Sequence, residues 1–529
     1  MRTSHPASLA RALLFGVALG FGPCAQAQLI DRTLSPNAAG EGIAKSYAAE
    51  IGADRGDLLT PNSSAYIIAR DPFRSIRRGR QLFQRKFNVL QGAGPITQNG
   101  SGDIGHNLAI GAGMADSCAA CHGRPRGSAG FGGDVATRPD SRDAPHLFGL
   151  GLKEMLADEI TTDLRASRTL ALARALANNR PYKIELKSKG ISYGALTAAP
   201  DGTVDAAAVI GVDPELRVRP VFAHGGKISI REFVIGALND EMGLQAVDPE
   251  LSAAAAGGRI VTPAGMVLDG RLDRLERPPV LSATDDADRD GVANEVPRSI
   301  VDHFEFYLLN YFKPATYEET SAVIRGRRIF KQIQCATCHV PDLTVQNDRR
   351  VADLETEFDS EKGIFNGLFA TAVPLFNSVD DKTGLPALKR PNGGKFVVRN
   401  IFSDFKRHDL GPNFHERNYD GTTQKLFLTT PLWGVGSTAP YGHDGRSINL
   451  TEVILRHRGE ASASARAFAR LPDEPRAALL EFLQHLVIFP PDDTASTLNP
   501  GDRTDPNFPQ SGHGSIKLSA LFNDPRDPE

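Results

Sequence analysis

The sequence predicts a mainly α-helical chain made of two related units, with long loops and a little β-structure. Three observations carry that prediction. The pentapeptide Cys118-Ala-Ala-Cys121-His122 recurs as Cys335-Ala-Thr-Cys338-His339. Arg78-Gly79-Arg80-Gln81-Leu82-Phe83 stands upstream of the first copy, and Arg325-Gly326-Arg327-Arg328-Ile329-Phe330 upstream of the second, so the repeat is wider than its cysteines. Apolar residues recur at helical spacing at Leu450, Val453 and Ile454 and again at Leu479, Leu480 and Leu483.

Taken from the start, the chain opens with Met1-Arg2, an apolar run from about Ala10 to Phe21, and Ala25-Gln26-Ala27. A charged start, an apolar core too short to span a bilayer and a small-x-small site read as a secretory leader over residues 1–27. Cys24 leaves with it, because Pro23 fits a lipoprotein site poorly. No later run reaches about 20 apolar residues, so no membrane span is expected and the mature protein is expected to be periplasmic or secreted. With 529 residues there is room for two or three domains at about 150 residues each. A hydrophobic share of 41% and a charged share of 23% indicate a folded globular chain. A net charge of −3 gives no whole-chain basic field for nucleic acid.

Four cysteines remain after the leader, and all fall in the two pentapeptides. In C-x-x-C-H the two thiols form thioethers to a haem and the next residue, His, ligates its iron. The i, i+3 spacing puts both sulfurs on one side of a helical turn. A shared zinc site is a poor alternative, since more than 200 residues separate the pairs. A redox disulfide needs neither the His nor a second copy. Two covalent haem c groups are therefore expected, on Cys118 and Cys121 with His122 and on Cys335 and Cys338 with His339.

Spacing within the units differs. The helix with Ile324, Ile329 and Phe330 ends about five residues before Cys335, whereas Phe83 lies 35 residues before Cys118. The difference is a Gly-, Asn- and Ser-rich insertion at about 88–117, expected beside the first haem. A helix over Leu152–Ala177 follows, then a hairpin with alternation near Ile184-Glu185-Leu186 and an Asp201-Gly202 turn. The tail after Pro490 is rich in Pro, Asp and Ser. The expected boundaries are 1–27 leader, 28–300 first haem unit, 301–490 second haem unit and 491–529 loosely packed tail.

The sixth iron ligand separates chemistry from electron transfer, and Met and His are the usual choices. Every Met lies at or before position 266, so His is expected for the second unit. Asn449-Leu450-Thr451-Glu452 reads as a capping box, and Leu450, Val453, Ile454 and His457 share one face of the helix it starts. His457 is the expected ligand. His485, on a helix with Leu479, Leu480 and Leu483, is its rival.

Thr430-Pro-Leu-Trp-Gly-Val-Gly-Ser-Thr-Ala-Pro-Tyr-Gly-His-Asp-Gly445 and Arg456-His457-Arg-Gly-Glu-Ala461 closely resemble the bacterial di-haem cytochrome c peroxidase superfamily. The similarity is best to its di-haem oxidoreductase branch, which is related to the di-haem rubber oxygenase. Asp143-Ala-Pro-His146, Asp240-Glu-Met-Gly243 and His408-Asp-Leu-Gly411 resemble it as well. The resemblance implies two cytochrome c-like domains, a second haem closed by His457, a reactive first haem, and Glu241 as the acid over that first haem. Two departures stand out. Phe233 occupies the place nearest a family Gln, and no Trp lies near Phe222-Ala-His-Gly225, Trp433 being the only one in the chain.

Asp286, Asp288 and Asp290, with Gly291 at the turn, begin like a calcium loop, although Pro297 stands where an EF-hand has its last ligand. Calcium is expected there, against a solvated acidic turn. The resulting expectation is a peroxidase-like oxidoreductase that activates peroxide or O₂ at the first haem. Electrons from a small redox protein or other donor would pass through the second. Two alternatives stand beside it. One is an oxygenase that cleaves an apolar substrate. The other is an electron-transfer cytochrome, which would need His106, Met114 or His146 on the first iron.

Overall fold

The computed structural model describes residues 47–87, 117–122, 143–278, 280–282, 284–285, 296–310, 320–357, 367–418 and 421–486. The leader, the 88–116 insertion, His106, Met114, the loop of Asp286, Asp288 and Asp290, and the tail from 487 lie outside these. Twelve α-helices form among the described residues. They are α1 (Tyr47–Ile51), α2 (Ser64–Arg70), α3 (Pro72–Gln84), α4 (Cys118–His122), α5 (Leu150–Asn178) and α6 (Ile230–Asp240). Then come α7 (Pro249–Ala255), α8 (Arg298–Leu309), α9 (Ser321–Gln332), α10 (Leu450–Arg456), α11 (Ser462–Ala469) and α12 (Asp473–His485). Short antiparallel pairs decorate this helical frame.

The expected hairpin is a three-stranded meander, β1 (Tyr182–Ser188), β2 (Ile191–Ala198) and β3 (Val204–Asp205). Its first turn is Lys189-Gly190, both at positive φ, and Asp201-Gly202 turns β2 into β3. Asp201 holds that turn by accepting the Thr203 N–H at 2.9 Å.

Two apolar cores organise the helices. The larger joins α3, α5, α6 and α8 and extends to Leu343–Leu354 and Trp433. The smaller gathers Val323, Ile329 and Phe330 of α9, Leu450 of α10, and Leu479, Phe482 and Leu483 of α12, around Phe402. The Arg-Gly-Arg repeat explains both cores. A Cβ on Gly79 would lie 2.4 Å from the His303 carbonyl of α8, and one on Gly326 2.0 Å from the Ala478 carbonyl of α12. Each glycine is the crossing point of a helix pair, α3 on α8 and α9 on α12. Phe83 then packs edge-on to Tyr307 at 5.9 Å, and Phe330 edge-on to Phe482 at 5.5 Å.

A buried ionic cluster fixes α6, which faces the site. Arg231, fully enclosed, pairs with Asp248, with Asp302 at 2.9 Å and with Glu305 at 2.8 Å. Thr262 caps Glu305 at 2.7 Å, and Arg55 also pairs with Asp302. Removing one member would strand the others in low dielectric, so the cluster locks α6 against α8.

Gly326→Ala is expected to destabilise the smaller core by about 1–3 kcal/mol, the usual cost of overpacking. Chemical denaturation of the purified chain would show a lowered midpoint. An unchanged midpoint would mean that the α9–α12 crossing adapts.

Candidate haem-binding site

Both pentapeptides open into one cavity of about 910 Å³. Cys118 and Cys121 reach it from the single turn of α4, and Cys335 and Cys338 from a 3₁₀ turn directly after α9. Burial pushes the Cys118 and Cys335 thiols up to about 12, so neither rests as a thiolate. The four cysteines form no disulfide.

The histidines that follow them share one arrangement. His122 donates from Nδ1 to the Pro145 carbonyl at 2.7 Å, and His339 from Nδ1 to the Phe402 carbonyl at 2.9 Å. An Nδ1–H donor leaves the lone pair on Nε2, the tautomer a metal needs. Burial depresses the His122 pKa, and burial with a contribution from the nearby His457 takes His339 down to about 4. Both rings are therefore neutral ligands in waiting.

His457 repeats the pattern, giving Nδ1 to the Val453 carbonyl at 2.7 Å and packing edge-on to Phe414 at 5.2 Å. The capping box forms as read: Asn449 Oδ1 accepts the Glu452 N–H at 2.9 Å and Glu452 accepts the Ile448 N–H at 3.0 Å. One detail differs from the periodic reading. α10 stops at Arg456, and His457 is the first extended residue beyond it, φ −60° and ψ 122°. The helix aims the ring at the cavity from its C-terminal end. His485 is buried within the smaller core on α12 and is not part of the cavity wall.

The other histidines have other partners. His408 lies between Glu460 at 2.7 Å and Asp404 at 3.0 Å, with Cys338 beside it. Burial opposes its charge, but Asp404, Cys338 and Glu460 outweigh burial and raise its pKa to about 11. His443 stacks on Phe427 at 4.1 Å, 2.9 Å from Glu416. His146 donates from Nε2 to the Trp433 carbonyl at 3.1 Å. His146 lines the same cavity as His122, with its Nε2 taken up by that carbonyl.

Glu241 caps the C-terminus of α6 and lines the cavity, as does Phe233, whose ring is edge-on to His122 at 6.3 Å. Sequence reasoning missed a correspondence that gives these residues their place. Val221 bridges Lys227 as Tyr441 bridges Ser447. Ser229 then caps α6, accepting the Glu232 N–H at 3.1 Å while Glu232 accepts the Ile228 N–H at 2.9 Å. This is the Asn449–Glu452 box again, 220 positions earlier. At that offset the partner of His457 is Ala237, a cavity-lining methyl group. The signal was present in the sequence as two capping boxes with equal spacing to the preceding Gly225 and Gly445.

Residues 349–486 match the family model described as "Di-haem oxidoreductase, putative peroxidase". This segment is similar to the di-haem oxidoreductase family. The family's name implies two haems, and the donor set above fits two: paired thiols, neutral imidazoles and an apolar cavity reached by both. No curated protein matches the chain. Among solved structures, hydrazine synthase of Kuenenia stuttgartiensis is 16% identical, over 37% of this chain and 57% of that one, with a TM-score of 0.22. The chain thus spans less than two thirds of that protein's length. A MauG-like protein associated with microbial copper homeostasis is 14% identical, over 63% of this chain and 88% of that one, with a TM-score of 0.24. Superpositions this loose say nothing about chemistry. No helix among the described residues is long and apolar enough to cross a membrane.

His457→Ala is expected to convert the low-spin haem signal to high-spin or water-ligated, while His485→Ala leaves it intact. Electron paramagnetic resonance of the two variants checks this; the reverse result would transfer the ligand role to α12.

Proposed function

We propose that this chain is an exported, peroxidase-like di-haem oxidoreductase that reduces peroxide, or activates O₂, at the haem held by Cys118, Cys121 and His122. The observation that carries the reading is Ala237. The fold repeats its ligand-bearing segment, with histidine in one copy and a methyl group in the other. The C-terminal haem would thus be closed by His339 and His457, and the N-terminal one left with an open side. That asymmetry also disfavours a simple electron-transfer cytochrome, which would close both.

When bound, the haems supply one-electron chemistry and, where a coordination position is free, a place for peroxide or O₂. The chain supplies the rest. Cys335 and Cys338 anchor the second group as Cys118 and Cys121 anchor the first. Lys153 lines the cavity, and burial lowers its pKa to about 8, so a haem carboxylate is a natural counter-charge. Glu241 lies one turn beyond Ala237 on the same face, where it can hold a proton at Oε and move it between peroxide oxygens. Phe222 and Phe233, 5.7 Å apart and edge-on, also line the cavity. A small redox protein outside the cytoplasm is the proposed electron donor, in keeping with the leader reading of residues 1–27.

Stopped-flow and resonance spectra of wild type, Ala237→His and Glu241→Gln test this. Wild type is expected to show one high-spin and one low-spin haem. Ala237→His should turn the high-spin signal low-spin and block reaction with peroxide. Glu241→Gln should leave both spectra intact and slow that reaction by roughly 10²–10⁴-fold, the usual contribution of a positioned acid or base. Two low-spin haems in wild type would overturn the reading. Inertness to peroxide with reactivity toward O₂ would favour an oxygenase.

A further inference from the structure

The chain has no Trp near Phe222-Ala-His-Gly225, yet the two pentapeptide histidines are joined another way. His122 Nδ1 donates to the Pro145 carbonyl at 2.7 Å. The carbon of that carbonyl is bonded to the nitrogen of His146, whose own Nε2 donates to the Trp433 carbonyl at 3.1 Å. Two residues of backbone lead from that carbonyl to the Leu432 N–H, which donates to the Ile401 carbonyl at 3.0 Å. One more residue leads to the Phe402 carbonyl, which accepts from His339 Nδ1 at 2.9 Å. Four hydrogen bonds and three short covalent stretches thus connect His122 to His339 without a gap.

The path is held at both ends. Phe402 and Ser403 donate their N–H groups to the Pro341 and Val340 carbonyls, at 3.4 and 3.0 Å, tying the segment to the second pentapeptide. Trp433 is 3% exposed, and its indole lies where a Cβ on Gly149 would come within 2.9 Å of Cζ2. The backbone carbonyl that His146 reaches is therefore fixed. Among the described residues His146 Nδ1 is buried with no hydrogen-bond partner, so the Trp433 carbonyl is the polar attachment there that orients the ring. Of all the links, only the one through His146 uses a side chain from outside the two pentapeptides.

We infer that His146 is the bridging residue that couples the two haem centres, carrying electrons between them along the Pro145–His146–Trp433–Leu432–Ile401–Phe402 path. This rests on the reading that His122 and His339 each hold a haem. One electron leaves the centre at His339, which is oxidised by one unit, and reaches the centre at His122, which is reduced by one. No bond breaks, and every N–H keeps its proton.

The test uses the full chain with both haems attached, checked by mass. In half-reduced protein with carbon monoxide bound, a light flash releases the gas and electrons redistribute between centres at a rate read from absorbance. His146→Leu removes the donor while filling the space, and is expected to slow redistribution. His146→Gln, whose Nε2 can still donate to the Trp433 carbonyl, should restore the rate. The spectra of both centres should be native in each variant. An unchanged rate in His146→Leu, or a His146→Gln as slow as His146→Leu, would overturn the inference. Should His146→Leu fail to load haem, His146→Gln against His146→Asn decides it, because Asn is too short to reach. A wild-type chain carrying fewer than two haems would instead overturn the di-haem reading.

Discussion

An imidazole that gives its Nδ1 proton to a fixed carbonyl has only Nε2 left for a metal. Among the described residues three histidines are in that condition, and the rest of the architecture holds the carbonyls in place. Pro145 and Phe402 sit behind His122 and His339, and Val453 lies one helical turn before His457. The ring orientations follow from backbone, so the site is organised before any cofactor arrives.

Backbone can play that part because the helices behind it cannot slide. Glycines at equivalent places in the Arg-Gly-Arg repeat bring α3 onto α8 and α9 onto α12 until backbone meets side chain. The Arg231 cluster then fixes α6 to α8, and with it the cavity face that carries Ala237 and Glu241. Close packing on one side and buried charge on the other leave the cavity walls little freedom.

Much of this was legible in the sequence, for reasons that differ by element. The pentapeptides are local, since five consecutive residues contain the thiols and the imidazole, and they land together in the cavity. The Asn449–Glu452 box is also local, and it forms as read. His457 was legible as a residue of the inward face, but its position past the helix end was not, because propensity marks helix ends poorly where packing sets them. Non-local features were hidden. Nothing near His146 announces that its partner is the carbonyl of residue 433, a contact across 287 positions. The equivalence of Ala237 with His457 was hidden for another reason: a small residue carries no chemical signal until the repeat that surrounds it is aligned.

The position of Trp433 has an optical consequence. The chain contains a single tryptophan, and its indole is walled into the cavity that both pentapeptides face. Porphyrins absorb where indole emits, so attachment of either haem would extinguish the protein's own fluorescence. Cofactor incorporation, and any later loss on ageing or unfolding, would thus register as a change in brightness from one buried side chain, with no label added.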